Sequence, residues 1–358
     1  MYSVIMAGGS GTRFWPYSRK RRPKQLLDIT GKGPMVLDTC DRLQPLSKDE
    51  DIIIVLGENH YNETKNLFAD RKINIIAEPV GRNTAPCIAL GALYARHLGC
   101  EGPVAFLPAD HFIRDIPAFL DCLEQAGKIC ESGGIVTLGI IPTRPETGYG
   151  YIRGSFDIDT LQTNSVFPVS AFVEKPDVKK ALEYMQSGNY FWNAGIFVAT
   201  ADTILSETGK LLPETYEALM QLDQHFGKDS FGDRLEEVYS SIEPISFDYG
   251  IMEKTEADVS VVPCDCGWSD VGSWESLYEL RTEEHDSNNN LQEGDTLIVD
   301  CEKSLIAGMG KRLVACLGLR DCIVIDREDA VLVADMKKSQ DLRKIVDELK
   351  RKKREELL

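Results

Sequence analysis

One short run, Gly8-Gly9-Ser10-Gly11-Thr12-Arg13, with Pro23-Lys24-Gln25 just beyond it, concentrates the residues best suited to hold a phosphate. Glycine tolerates positive φ and lets backbone come close to a ligand. Successive N–H groups in such a turn form a concave anion site, and Arg13 and Lys24 add fixed positive charge to the same loop. The common nucleotide loops do not fit. A P-loop ends in Gly-Lys-Ser/Thr, whereas Gly11 is followed by Thr12-Arg13. The dinucleotide fingerprint needs a third glycine where Phe14 stands. The plainer alternative is a tight strand-to-helix turn with no ligand, which leaves Arg13 and Lys24 without a structural reason to be there.

Two acids are candidate metal ligands. Asp110 follows an apolar run, Pro103 to Leu107, and precedes a loop. A hard cation such as Mg²⁺ prefers carboxylate and phosphate oxygens; a helix cap or turn is the bland alternative. Asp270 stands between small residues, with Trp268 and Trp274 on either side. Further along, Lys175 beside Glu174 suits an anionic sugar: the ammonium meets phosphate and the carboxylate accepts from hydroxyls. The amide of Asn193 can both donate and accept.

The elements that must position these residues read as follows. Residues 2–6, 51–57, 73–77, 103–107 and 134–140 are apolar, β-branched runs of strand length. Helical segments separate them at 35–46, at 61–67 and after Pro86. This alternation predicts an α/β fold, a Rossmann-like, mostly parallel sheet flanked by helices. Ligands in such sheets bind at the carboxyl ends of the strands. Residues 200–222 read as helical, broken near Gly209 and Pro213. The polar stretch 282–294 reads as a linker, so the chain divides into residues 1–285 and 286–358. Short strands at 296–299, 304–307, 313–315, 322–325 and 330–333 predict a small C-terminal β domain. A terminal helix from about residue 340 carries Leu342, Ile345, Val346 and Leu349 on one face.

Composition excludes several classes. The chain has 358 residues and a net charge of −17, which argues against general nucleic-acid or membrane-surface binding. A local basic loop with a divalent cation can still hold a triphosphate. No signal peptide or long apolar stretch is present, so a cytoplasmic protein is expected. The ten cysteines form no C-x-x-C pair and read as ordinary reduced thiols.

The signature loop resembles that of the sugar-1-phosphate nucleotidyltransferases, Gly-Gly-x-Gly-Thr-Arg followed by Pro-Lys. Its variant here, Phe14-Trp15-Pro16-Tyr17-Ser18-Arg19 and then Pro23-Lys24-Gln25, is similar to the mannose-1-phosphate guanylyltransferases, also called GDP-mannose pyrophosphorylases. Five further blocks follow in the family's order: Glu78 to Pro86, Gly148 to Ile152, Val173 to Pro176, Trp192 to Phe197, and Ser246 to Lys254. The resemblance implies a nucleotidyltransferase catalytic domain over 1–285 and a partial β-helix beyond it. It implies GTP and mannose 1-phosphate as substrates, GDP-mannose and pyrophosphate as products, and Mg²⁺ or Mn²⁺ as cofactor.

Roles follow from the same resemblance. Gly8, Gly9, Ser10, Gly11 and Thr12 hold the nucleotide, Arg13 the departing pyrophosphate and Lys24 the α-phosphate. Glu78 and Asn83 lie in the block that contacts the purine, and a carboxylate at Glu78 can accept from guanine N1–H and the 2-amino group. Gly148, Glu174, Lys175 and Asn193 line the sugar phosphate, and Asp110 and Asp270 hold the metal. A homodimer through the C-terminal β segment is expected, without nucleic acid or membrane partners. Longer relatives append a phosphomannose isomerase domain, so no isomerase activity is expected of this chain. The rival readings are another substrate pair, such as UTP with glucose 1-phosphate, and a non-catalytic regulatory subunit.

Overall fold

Runs such as Ile52-Ile53-Ile54-Val55 have no polar face, so they are stable only where both sides are covered. In the computed structural model they lie inside a nine-stranded sheet. The structure describes residues 1–9, 11–155 and 165–358, so Ser10 of the signature loop lies outside the described residues. The chain forms two compact units. The first comprises residues 1–8, 39–109 and 113–268; the second comprises 9–38, 110–112 and 269–358.

The first unit holds strands β1 (Tyr2–Ala7), β2 (Ile52–Gly57), β3 (Asn74–Glu78), β4 (Pro103–Pro108), β5 (Ile135–Ile140), β6 (Tyr151–Gly154), β7 (Phe167–Val173), β8 (Tyr190–Thr200) and β9 (Val259–Pro263). Their order in the sheet is β3-β2-β1-β4-β8-β5-β9-β7-β6. Parallel pairing joins β3, β2, β1 and β4, and again β5 and β9. The long strand β8 runs antiparallel to both β4 and β5.

The helices, in chain order, are α1 (Met35–Leu43), α2 (Tyr61–Leu67), α3 (Thr84–His97), α4 (Ile116–Cys130), α5 (Val178–Ser187), α6 (Ala201–Leu211), α7 (Pro213–Met220), α8 (Phe231–Ser241), α9 (Trp274–Leu280) and α10 (Arg343–Arg351). Residues Ala85 to Leu93 of α3 are all buried, and the helix shares a core with Val4, Val55, Leu205, Leu235 and Phe247. The break in 200–222 falls at Leu212, where Pro213 opens α7, because proline is favoured in a helix's first turn. Helix α4 is absent from the sequence reading, although Asp115 caps it through Ala118 N–H and Pro117 sits in its first turn.

The second unit holds β10 (Leu291–Gly294), β11 (Thr296–Val299), β12 (Leu305–Gly308), β13 (Val314–Leu317), β14 (Cys322–Asp326) and β15 (Val331–Asp335). Parallel stacking of β10, β12 and β14, and of β11 on β13, makes partial β-helix coils; β15 returns antiparallel on β14. The expected linker over 282–294 is corrected here: it contains a helical turn (Thr282–Glu284) and strand β10. Its asparagines misled because Asn290 is buried and joins two backbone groups, donating to Cys301 O (2.8 Å) and accepting from Ser304 N–H (3.2 Å). The terminal helix begins at Arg343, after a helical turn over Met336–Leu342. Leu342 and Val346 are buried, whereas Ile345 is 37% exposed. Among the described residues no helix is long and apolar enough to cross a membrane.

Candidate active site

In the second unit the signature loop, Asp110 and Asp270 converge. Two backbone hydrogen bonds pair Phe112 with Ser269, N–H to O in each direction at 2.9 and 3.0 Å. That bridge brings two acids far apart in sequence to one place. Lys24 then links them: its Nζ donates to Asp110 Oδ2 and to Asp110 O, both at 2.8 Å, and to Asp270 O. The ammonium is buried, so the ion pair is held away from bulk water. Burial works to raise the Asp110 carboxyl, but the charges of Lys24 and His111 and the hydrogen bond from Lys24 more than offset it. Asp110 is held below its ordinary value.

The loop is shaped to make this possible. Gly11 has φ +57, and a Cβ there would lie 2.7 Å from Lys24 N and 2.8 Å from Lys24 Cβ. A side chain is excluded by conformation and by space alike. Ser18 Oγ donates to Gly11 O at 2.6 Å. Phe14 packs on Trp274 at 5.1 Å, and Trp274 Nε1 donates to Trp15 O at 3.3 Å. These aromatic contacts fix the loop from below, and Gly9, exposed at φ +108, is left with no atom near its missing Cβ.

The result is a polar cleft of about 300 Å³ lined by Gly9, Gly11, Thr12, Arg13, Lys24, Asp110, His111, Asp270 and Gly272. A Cβ at Gly272 would meet Asp270 Oδ2 at 2.6 Å and Arg13 NH1 at 3.2 Å, so glycine leaves room for both groups. Arg13 NH1 donates to Gln340 Oε1 at 2.9 Å. Neither Gln340 nor Gly272 is read from the sequence as a site residue: Gln340 stands at the start of the expected terminal helix, and nothing local marks either as lining the cleft.

In the first unit a separate cluster forms around Asn193. Its Nδ2 donates to Asp248 Oδ1 at 2.7 Å, and its Oδ1 accepts from Gly195 N–H at 2.8 Å. Glu174 lies alongside, because a Cβ on Gly150 would sit 2.5 Å from Glu174 Oε2 and 3.5 Å from Asn193 Nδ2. Lys175 Nζ donates to Glu174 Oε1. Burial, and then the Glu174 charge, push the Asp248 carboxyl up to about 6, against the hydrogen bond from Asn193. Gly148 N–H donates to Glu146 Oε1 at 3.0 Å, and Tyr149 meets Trp192 and Trp268 edge-on at 5.3 Å.

The Glu78–Pro86 block ends β3 in the same unit. Asn83, at φ +69, accepts from Thr84 N–H at 2.8 Å and caps α3. Ala85 N–H donates to Ile245 O, Ile245 N–H to Arg82 O, and Phe247 N–H to Thr84 Oγ1. The block is thereby knitted to the segment that carries Asp248. Glu78 is only 5% exposed; among the described residues its Oε1 has no hydrogen-bond partner, and Tyr239 is a hydrogen-bond neighbour of the carboxyl. Burial pushes its carboxyl up to about 7, with Tyr239 opposing.

Comparison with known proteins follows the same lines. The nucleotidyl transferase family matches residues 2–287, and a mannose-phosphate isomerase/GMP-like β-helix domain matches 294–349. Mannose-1-phosphate guanylyltransferases from Escherichia coli and Klebsiella pneumoniae are each 40% identical over 356 residues, 99% of this chain and 74% of theirs. A crystal structure of a mannose-1-phosphate geranyltransferase from Thermus thermophilus is similar with TM-score 0.86 at 34% identity, covering 98% of this chain and 99% of that one.

Proposed function

The chain belongs to the nucleotidyl transferase family, among the mannose-1-phosphate guanylyltransferases, and on that premise we propose how its residues divide the work of making GDP-mannose. A phosphate oxygen of mannose 1-phosphate attacks the α-phosphorus of GTP in line, and pyrophosphate leaves with the electrons of the broken P–O bond. No covalent enzyme intermediate is needed, so catalysis is positioning and charge stabilisation. The Lys24 ammonium that joins Asp110 to Asp270 is the observation that carries this reading. A buried cation beside an open glycine loop is preorganised for charge that develops on the α-phosphate.

Arg13 holds the departing pyrophosphate, and the backbone of Gly8, Gly9, Gly11 and Thr12 lies against the triphosphate. A divalent cation fits the donor set at Asp110 and Asp270, two hard carboxylates lining one polar cleft. Among the described residues no cluster of three or more such ligands forms, so the cation would complete its shell with phosphate oxygens and water, as Mg²⁺ prefers. It would supply neutralisation of phosphate charge. The base is read by the Glu78–Asn83 block, where among the described residues Glu78 Oε1 is an acceptor without a partner. Lys175 meets the sugar phosphate, with Glu174, Gly148 and Asn193 around the ring. The test is pyrophosphate release over a matrix of nucleoside triphosphates and sugar 1-phosphates. GTP with mannose 1-phosphate should be the fastest pair; a faster UTP and glucose 1-phosphate pair would replace this reading.

A further inference from the structure

The cluster around Asn193 is rich in hydrogen-bond acceptors. An ionised carboxylate only accepts, at about four lone-pair positions, and two carboxylates, Glu174 and Asp248, lie here together. Lys175 serves Glu174 Oε1, and one N–H of Asn193 serves Asp248 Oδ1. The Asn193 oxygen accepts from Gly195 N–H. Asn193 thus holds Asp248 with one N–H while its oxygen is anchored to the backbone. Asp248 also opens a five-residue π-helical turn, Asp248–Met252, a wide turn frequent at functional sites. The turn is fixed from the other side, where Gly250 N–H donates to Ser246 O at 2.8 Å and Phe247 N–H to Thr84 Oγ1 at 2.8 Å. An acid in a partly buried place, with a like charge beside it, is costly unless something donates to it.

We propose that Asp248 is a specificity-determining residue that, with Glu174, accepts from neighbouring hydroxyls of the sugar 1-phosphate and so selects its epimer. Glu174 Oε2 over Gly150 and the Asp248 carboxylate flank the Asn193 amide. A pyranose presenting two adjacent hydroxyls to this pair supplies one further donor to each carboxylate. An epimer with one of them inverted leaves an acceptor stranded, and sites built to bond a hydroxyl reject ligands that lack it. The inference rests on the sugar-binding role assigned above to Glu174 and Lys175, and adds a residue that role did not include.

The test compares wild type with Asp248→Asn, which replaces an acceptor with a donor at nearly constant shape. For the sugar 1-phosphate that wild type uses best, KM should rise at least tenfold while KM for the nucleotide stays put. The kcat/KM preference for that sugar over its epimers should fall at least tenfold. A merely structural role would lower stability, or kcat for every sugar, and leave the preference where it was; that result overturns the proposal. Asn193→Ala decides the matter if Asp248→Asn does not fold: it releases the acid without removing it, and an unchanged epimer preference again overturns the proposal. Failure of wild type to use mannose 1-phosphate counts against the proposed reaction instead, because the preference ratio can be read with any sugar 1-phosphate that turns over.

Discussion

The two polar clusters solve opposite problems of charge. Around Lys24 the protein supplies its own cation, and Asp110 is held low because that cation outweighs burial. Around Asn193 two carboxylates lie together, the Lys175 ammonium bonds to Glu174, and burial and the Glu174 charge push Asp248 up to about 6. On the proposed reading the first cluster faces the phosphates of the nucleotide, and the second offers two adjacent carboxylates to sugar hydroxyls while Lys175 meets the sugar phosphate.

This contrast can be broken most severely at the acids of the first cluster. Asp110→Ala and Asp270→Ala should each lower kcat by roughly 10³-fold or more. Each loses a carboxylate from the cleft proposed to hold the phosphates, and losing even one stabilising group costs about 10²–10³-fold. Chelator treatment of wild type should abolish pyrophosphate release, and Mg²⁺ or Mn²⁺ should restore it. Full turnover in chelator would remove the metal from these acids. Circular dichroism would establish that the variants remain folded.

Lys24→Ala comes next. An interaction that strengthens as charge develops appears in kcat, so kcat should fall about 10²–10³-fold while KM for GTP changes less. Lys175→Ala should do the reverse, raising KM for the sugar phosphate about ten- to a hundredfold, as expected for a charge-assisted hydrogen bond of about 1.5–3 kcal/mol. Steady-state kinetics with each substrate varied would separate them, and exchanged phenotypes would invert the comparison.

A smaller effect is expected at Glu78, which belongs to neither cluster and whose carboxyl is raised by burial, with the Tyr239 hydrogen bond opposing. Its carboxyl moves from 4.5 to about 7 through burial. The folded state therefore binds the proton more tightly than the unfolded chain does, and stability is lost as pH rises through about 7. The full cost of ionising it is about 3 kcal/mol. Glu78→Gln should flatten the decline of Tm between pH 5 and 8, and should be more stable than wild type at pH 8. If the carboxylate also reads guanine, the same variant should lose at least tenfold in the kcat/KM ratio of GTP over ATP. A flattened Tm curve with an unchanged ratio would leave Glu78 a structural role and pass base recognition to the Asn83 loop.

The smallest effect tests the support beneath the loop. Trp15 Nε1 donates to Leu357 O at 2.8 Å. Trp15→Phe should cost about 1 kcal/mol of stability, the typical net worth of one such bond, read as a modest fall in Tm. A large loss of kcat in addition would mean that the C-terminal residues also position Arg13, whose guanidinium is bonded to Gln340.

Much of this was legible before folding because it is local. β2 is a run of β-branched residues, and such a run is stable only as a buried strand. The glycines and cations of the signature loop act within one turn, so their chemistry can be read from their types. What escaped was either disguised by composition or distant in the chain. Asn290 and its neighbours have a loop's composition, yet Asn290 is buried because its amide satisfies backbone groups of the next coil. Asp248 looked ordinary in its block until β8 brought Asn193 to it.

By itself, then, the sequence determined that apolar runs such as β1, β2 and β4 would be buried strands, where the glycine loop had to bend and which side chains could carry phosphate chemistry. Each of these depends on neighbours within a few residues. The tertiary structure alone decided that Phe112 pairs with Ser269, that one lysine serves both Asp110 and Asp270, and that Asn193 donates to Asp248. These are contacts between residues far apart in the chain, whose partners are chosen by sheet order and backbone pairing. No property of either residue alone encodes that choice.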